Sequence, residues 1–347
     1  MPSAENPTTY GFIGLGLMGL PMCKNLASRL SHGERIRILD LNEAAMDQLH
    51  SEFPKQITKC SSPAQVAEGA EVIVTMLPEG RHVQSVYISG PDALSTVSLN
   101  GKLLIDCSTI DTATSLGIKD HLSTNFPAAS FYDAPVSGGV IGAVKGSISF
   151  FVGCDDATDS NFATKIQPIL RFMGGKIIPC GGPSLGLTAK LCNNYLSGIL
   201  TIACSETFNI GMRAGLNPKK LYEVLHAGSA QNTIADKFCP VPNVDPNSPS
   251  SHGYTGGFRM ALMLKDFTLA TQMAERAGAE RVLGTKGLEM YSLLSGEEEY
   301  KDLDVRAMFR YIGGQEDWEQ QEESRDARGV EKNGNGTNGH QDLVKQH

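Results

Sequence analysis

A chain of 347 residues is long enough for two domains, each with a core of its own. Its make-up, 41% hydrophobic and 20% charged, is that of a globular enzyme, and 38 acids against 30 bases leave a formal charge of −8 that disfavours a nucleic-acid partner. No run of 18 apolar residues is present, so no membrane span is expected. The first nine residues carry no Arg and no apolar core, which excludes a secretory signal and disfavours a transit peptide. The expected location is cytoplasmic, with the mitochondrial matrix left open.

In chain order, β-rich runs at 10–13, 36–39, 72–76, 103–106, 149–152 and 176–179 alternate with amphipathic stretches at 18–30, 43–52 and 163–173. This alternation predicts an α/β fold, with a doubly wound parallel sheet covered on both faces as the N-terminal domain, 1–183. After Gly181-Gly182-Pro183 the pattern turns helical. One long helix over 184–214, roughly 30 residues or about 45 Å, opens an all-α domain at 184–314. Tyr195, Leu196, Ile199, Leu200, Ile202 and Ala203 make its middle apolar on most faces, so a homodimer or homotetramer is expected. Further helices are predicted at 218–225, 260–277 and 283–294, and 240–257 reads as a long loop. Residues 315–347 hold eight acids and four bases with few apolar side chains, so a disordered tail is expected from 315 onward.

Eight cysteines lie at 23, 60, 107, 154, 180, 192, 204 and 239. None forms a C-x-x-C pair and no His stands at ligand spacing, so neither a disulfide framework nor a metal site is expected. They read as small buried hydrophobes of a reducing compartment.

The strongest local signal is Gly14-Leu15-Gly16-Leu17-Met18-Gly19 between the first strand and the first helix. Gly14 permits the tight turn, Gly16 lets backbone N–H groups approach a pyrophosphate, and Gly19 packs the helix on the sheet. Asp40, twenty-one residues beyond Gly19 at the end of the second strand, is placed to accept ribose hydroxyls and repel a 2′-phosphate. Leu77, Pro78 and Thr109 close two further strands at the same carboxyl edge, where the nicotinamide of NAD would lie. Ser137-Gly138-Gly139 exposes consecutive N–H groups beside a hydroxyl, a concavity that suits a carboxylate. Lys190 and Asn194 share one face of the long helix, and a desolvated Lys there is fitted for acid–base work. Read alone, each of these is also compatible with a plain loop or a snorkelling Lys.

Gly11–Gly19, Asp133–Val140 and Lys190–Asn194 together resemble the β-hydroxyacid dehydrogenases. The runs from Cys239, Tyr254 and Leu262 are most like those of the 3-hydroxyisobutyrate dehydrogenases, and the resemblance covers about residues 8 to 312. It implies that Gly14 through Gly19, Asp40, Leu77, Pro78, His82, Thr109 and Lys265 hold NAD. It implies that Ser137, Gly138 and Gly139 bind the carboxylate of a small carboxylic acid. Lys190 would be the proton donor and acceptor, with Asn194 orienting the reacting oxygen. The reaction implied is oxidation of 3-hydroxyisobutyrate to methylmalonate semialdehyde, as in valine breakdown. His82 stands where Asn is common in these enzymes, though relatives share a His there; Gly228 to Thr233 replaces the Trp-Ser pattern of the mammalian enzyme, and that departure bears on substrate identity. NADPH-dependent semialdehyde or glyoxylate reductases are the alternative, which Asp40 opposes. A non-catalytic chromatin-associated scaffold and imine reducers are more distant alternatives, and both lack the Lys retained here as Lys190.

Overall fold

The computed structural model describes residues 7–322. Six parallel strands form the main sheet: β1 (Thr9–Ile13), β2 (Arg35–Leu39), β3 (Ile57–Lys59), β4 (Val72–Thr75), β5 (Leu103–Asp106) and β6 (Ser130–Asp133). Their order is β3-β2-β1-β4-β5-β6. The crossovers carry α1 (Gly19–Arg29), α2 (Glu43–Glu52), α3 (Pro63–Gly69), α4 (Gly80–Gln84) and α5 (Thr112–Asn125). Strand side chains alternate between two buried faces: Phe12, Val74 and Ile105 join one core, and Ile13, Ile73 and Leu104 the other. The expected doubly wound sheet is therefore present. Because β1 lies between β2 and β4, the strand order reverses there and opens a crevice at the carboxyl edge.

Two predicted strands belong elsewhere. The segments expected at 149–152 and 176–179 become β8 (Ile148–Val152) and β9 (Gly174–Pro179) of a separate sheet with β7 (Val136–Ser137). In it β7 pairs antiparallel and β9 parallel with β8. Helix α6 (Gly139–Lys145) joins β7 to β8, and α7 (Gln167–Arg171) precedes β9. Strands β3 and β7 escaped the sequence reading because runs of two or three residues show no periodicity, and β6 because Ser130-Phe131-Tyr132-Asp133 has only two apolar residues between polar ends.

Beyond β9 no strand occurs among the described residues. Helix α8 (Leu185–Arg213) runs for 29 residues, followed by α9 (Pro218–Ala227), α10 (Thr233–Lys237), α11 (Met260–Arg276), α12 (Gly284–Gly296) and α13 (Met308–Tyr311). By compactness the described chain divides within α8. One unit holds the chain up to Ile199 together with Gly257–Leu303, and the other holds Leu200–Gly256 with the chain from Asp304. The first unit thus includes α11 and α12 beside the sheets. Tyr195 stacks on Phe267 at 4.9 Å, and the Tyr291 hydroxyl donates to Gly198 O at 2.8 Å.

The expectation of disorder from 315 is corrected by the second unit. Trp318 is buried with Phe208, Met212, Leu221 and Phe309, and its indole N–H donates to Pro242 O at 2.8 Å. Arg310 pairs with Glu316 at 2.7 Å. A single large aromatic supplies the burial that the average composition hid. The rest of the expected tail, 323–347, lies outside the described residues.

Candidate active site

The glycine run turns tightly between β1 and α1. Gly14 has φ 99°, and a Cβ there would lie 2.2 Å from Met76 O. On Gly19 it would lie 1.9 Å from Gly14 O, whereas on Gly16 it would meet nothing within 4 Å. Two of the glycines are therefore required by close backbone approach, and the third leaves the backbone open to a ligand. Leu15 is buried, Leu17 is exposed and Met18 is partly buried. Asp40, just past β2, accepts from Leu15 N through Oδ2 at 2.5 Å and from Asn42 N through Oδ1 at 2.7 Å. Its carboxylate is thus fixed beside the cradle. An open backbone at Gly16, a helix N-terminus and a pinned acid fit a dinucleotide.

The turns after β4 and β5 face the same crevice. Leu77 N donates to the Ser108 hydroxyl at 2.8 Å. Lys265, on α11, donates to Pro78 O at 3.1 Å and to Thr109 O at 2.8 Å. The predicted cofactor residues Leu77, Pro78, Thr109 and Lys265 are therefore brought together. His82 lies on α4, and its buried Nδ1 has no hydrogen-bond partner among the described residues.

Lys190 and Asn194 occupy the buried stripe of α8 with Leu187 and Leu191. Lys190 is 7% exposed, and its Nζ donates to Asn194 Oδ1 at 3.0 Å. Asn193 Nδ2 donates to the same oxygen at 3.0 Å, and Asn194 Nδ2 donates to Asp266 Oδ2 at 2.6 Å. Asp266 Oδ1 lies 3.3 Å from Lys265 Nζ. The chain of contacts runs Lys190–Asn194–Asp266–Lys265 and ends on the turns after β4 and β5. Burial lowers the Lys190 pKa from its ordinary value of 10.5; the Asp266 charge opposes this and the Lys265 charge adds to it.

Ser137 ends β7, and Gly138 and Gly139 take φ of 133° and 63° at the start of α6, a conformation that favours glycine. No hydrogen bond joins these three residues to Lys190 among the described residues; the tie is Asp133, four residues before Ser137. Its Oδ1 accepts from Ser184 N at 2.7 Å and its Oδ2 from Leu187 N at 2.8 Å, so the carboxylate caps the helix that carries Lys190.

Three contributors were not singled out from sequence. Asp266 occupies the stripe Met263, Asp266, Phe267, Ala270, all buried, and an acid at such a position was the available signal. Asp106 and Ser108 looked like an ordinary strand end; only the fold shows them buried.

Residues 9–182 match the family model described as the NAD binding domain of 6-phosphogluconate dehydrogenase. Residues 185–312 match the one described as NAD-binding of NADP-dependent 3-hydroxyisobutyrate dehydrogenase. The chain is 40% identical over 296 residues to the probable mitochondrial 3-hydroxyisobutyrate dehydrogenase of Dictyostelium discoideum, covering 84% of this chain and 87% of that one. The chain belongs to the β-hydroxyacid dehydrogenase family. Among solved structures, this β-hydroxyacid dehydrogenase is similar to Mycobacterium tuberculosis 3-hydroxyisobutyrate dehydrogenase with L-serine, at TM-score 0.79 and 32% identity, covering 89% of this chain and 100% of that one. It is also 35% identical over 283 residues to the NAD-dependent L-serine dehydrogenase of Pseudomonas aeruginosa, covering 82% of this chain and 91% of that one. Among the described residues no helix of this dehydrogenase is long and apolar enough to cross a membrane.

Proposed function

We propose that this enzyme oxidises a small 3-hydroxy acid with NAD, 3-hydroxyisobutyrate foremost, to the corresponding semialdehyde. The observation that carries the reading is the Lys190–Asn194–Asp266–Lys265 chain, buried up to Asp266, which joins an acid–base pair to the turns beside a dinucleotide cradle. Gly14 through Gly19 would hold the pyrophosphate and Asp40 the adenosine ribose. Leu77, Pro78, His82, Thr109 and Lys265 would line the nicotinamide end. When bound, NAD supplies the acceptor for the hydride leaving the carbinol carbon. Ser137, Gly138 and Gly139 would fix the substrate carboxylate through hydroxyl and backbone N–H groups.

As the carbinol C–H bond breaks, the hydroxyl must lose its proton. Neutral Lys190 takes that proton on Nζ. Burial and the Lys265 charge favour the neutral form, and Asn194 Oδ1 holds the amine in place. Asn194 keeps one amide hydrogen for the substrate oxygen, since Nδ2 gives only its other to Asp266.

L-serine and 3-hydroxyisobutyrate share a carboxylate and a β-hydroxyl, and differ at C2 in an ammonium against a methyl. The serine-oxidising relative makes serine the competing substrate within the same chemistry. An NAD-reduction screen over 3-hydroxyisobutyrate, L-serine, 4-hydroxybutyrate and glycerate tests the proposal, and turnover of none of them would overturn it. The eight unpaired cysteines suit a reducing compartment, and the cytoplasm is the one proposed. Mitochondrial import of a full-length fluorescent fusion would overturn that assignment.

A further inference from the structure

Strands β4 and β5 pair as far as Thr75 and Asp106, after which each leaves the sheet in a turn. At this point a side-chain bridge continues where the ladder stops. The Ser108 hydroxyl donates to Asp106 Oδ1 at 2.6 Å and accepts from Leu77 N at 2.8 Å, so one hydroxyl joins the two turns. Asp106 Oδ1 also accepts from the Thr75 hydroxyl at 2.7 Å and from Ser108 N at 3.2 Å. The Thr75 hydroxyl in turn lies 3.1 Å from that of Tyr87, which is fully buried and edge-on to Phe131. From the other side, Lys265 Nζ holds Pro78 O and Thr109 O, one carbonyl from each turn.

Asp106, Ser108 and Thr75 are all 0% exposed, and Asp106 Oδ2 has no hydrogen-bond partner among the described residues. Burial pushes the carboxyl up to about 6 in spite of the donors on Oδ1, with the neighbouring Asp133 charge adding slightly. A buried acid with one oxygen unpaired is costly where an apolar side chain would fill the space. What an apolar residue cannot do is accept three hydrogen bonds at one point.

We infer that Asp106 and Ser108 are positioning residues which, with Lys265, clamp the two cofactor-side turns and so set the nicotinamide end of the NAD site. The inference rests on the reading of this edge as the NAD site. The decisive acceptor is Asp106 Oδ1, which an amide oxygen can replace, and the decisive donor and acceptor is the Ser108 hydroxyl. Since Ser108 and Lys265 hold the same turns, their contributions to cofactor binding are coupled.

Calorimetric titration with NAD, on purified folded enzyme checked by circular dichroism, tests the clamp. Ser108→Ala is expected to weaken NAD binding about tenfold, equivalent to roughly 1.4 kcal/mol, and to raise the KM for NAD more than it lowers kcat. Ser108→Cys, which is slightly larger and bonds weakly, should behave like Ala and provides a second variant if Ala fails to fold. Asp106→Asn should bind NAD within about threefold of wild type, while Asp106→Ala should weaken it as Ser108→Ala does. Combined with Lys265→Ala, the Ser108→Ala penalty should shrink. Binding within about twofold of wild type for both Ser108 variants, or strict additivity with Lys265→Ala, overturns the clamp while leaving the NAD reading intact. Absence of NAD binding by the wild type overturns that reading, and the clamp as a cofactor device with it.

Discussion

Lys190→Met separates catalysis from stability at one residue. Methionine approximates the length of the lysine stem and removes the ammonium. Asn194 Oδ1 is not orphaned, because it still accepts from Asn193, and Asp266 keeps Asn194 and Lys265. The variant therefore leaves no known buried group unpaired. With the base gone, kcat should fall about 10²- to 10⁴-fold, a barrier increase of roughly 3–5 kcal/mol. NAD binding should be nearly unchanged, since the Gly14–Gly19 cradle is untouched. Stability should move the other way. Lys190 is 7% exposed and its lowered pKa means that the fold disfavours its ammonium, so the Met variant should melt a few degrees higher.

The gain should depend on pH with a definite sign. Burial lowers the Lys190 pKa below 10.5 in the folded chain. Below that folded-state value both states carry the proton, and the fold bears the whole desolvation cost. Between it and 10.5 the unfolded chain binds more protons, so wild-type stability rises with pH. The Met variant lacks this titration, so its advantage in Tm should shrink as the pH is raised. Oxidation by the wild type should also increase with pH as Lys190 loses its proton. Stopped-flow NADH formation and calorimetric melting from neutral to alkaline pH provide both readings. More than about a tenth of wild-type kcat in the Met variant would refute the proposed base, since general acid–base catalysis contributes at least 10²-fold. A lower Tm than wild type at neutral pH would refute the argument from burial.

Three further outcomes are expected. NAD should be preferred over NADP by at least about tenfold in kcat/KM because Asp40 is fixed beside the glycine turn, at the proposed ribose end, and Asp40→Ser should relax the preference; equal use of both cofactors by the wild type would contradict this. Trp318→Ala should destabilise the protein by about 3–5 kcal/mol in denaturant melts, the usual cost of deleting a buried aromatic, and an unchanged midpoint would show that the contact with Pro242 is not maintained in solution. Light scattering should find a homo-oligomer, since α8 exposes Leu196 and Ile210 at 58% and 69%; a monomer at micromolar concentration would count against it.

The legible parts were those with a local cause. The turn at Gly14, Gly16 and Gly19 and the place of Asp40 just past β2 were legible because a strand–turn–helix constrains neighbours within the chain. The stripe carrying Lys190 and Asn194 was visible because a helix face is periodic. The two-residue strand β7 and the separate sheet were not, since they depend on pairing between segments that carry no periodicity of their own. Asp266 was hidden beside Lys265 because adjacent helical residues face different ways. Lys265 reaches carbonyls of the turns, whereas Asp266 turns inward to Asn194.

The register across the sheet explains why the site is assembled at this edge. Thr75, Asp106 and Asp133 are paired neighbours at the ends of β4, β5 and β6. Asp106 gathers the turns on the proposed cofactor side, and Asp133 holds the first turn of the helix bearing Lys190. The latter carboxyl is also raised by burial, relieved by backbone donors from Leu187 and Ser184. Two like acids on adjacent buried positions oppose each other, and hydrophobic residues would make the more stable sheet. Their hydrogen bonds fix two different elements from one rigid row of backbone. Strand spacing thereby sets the separation of the two carboxylates that hold the turns after β4 and β5 and the start of α8.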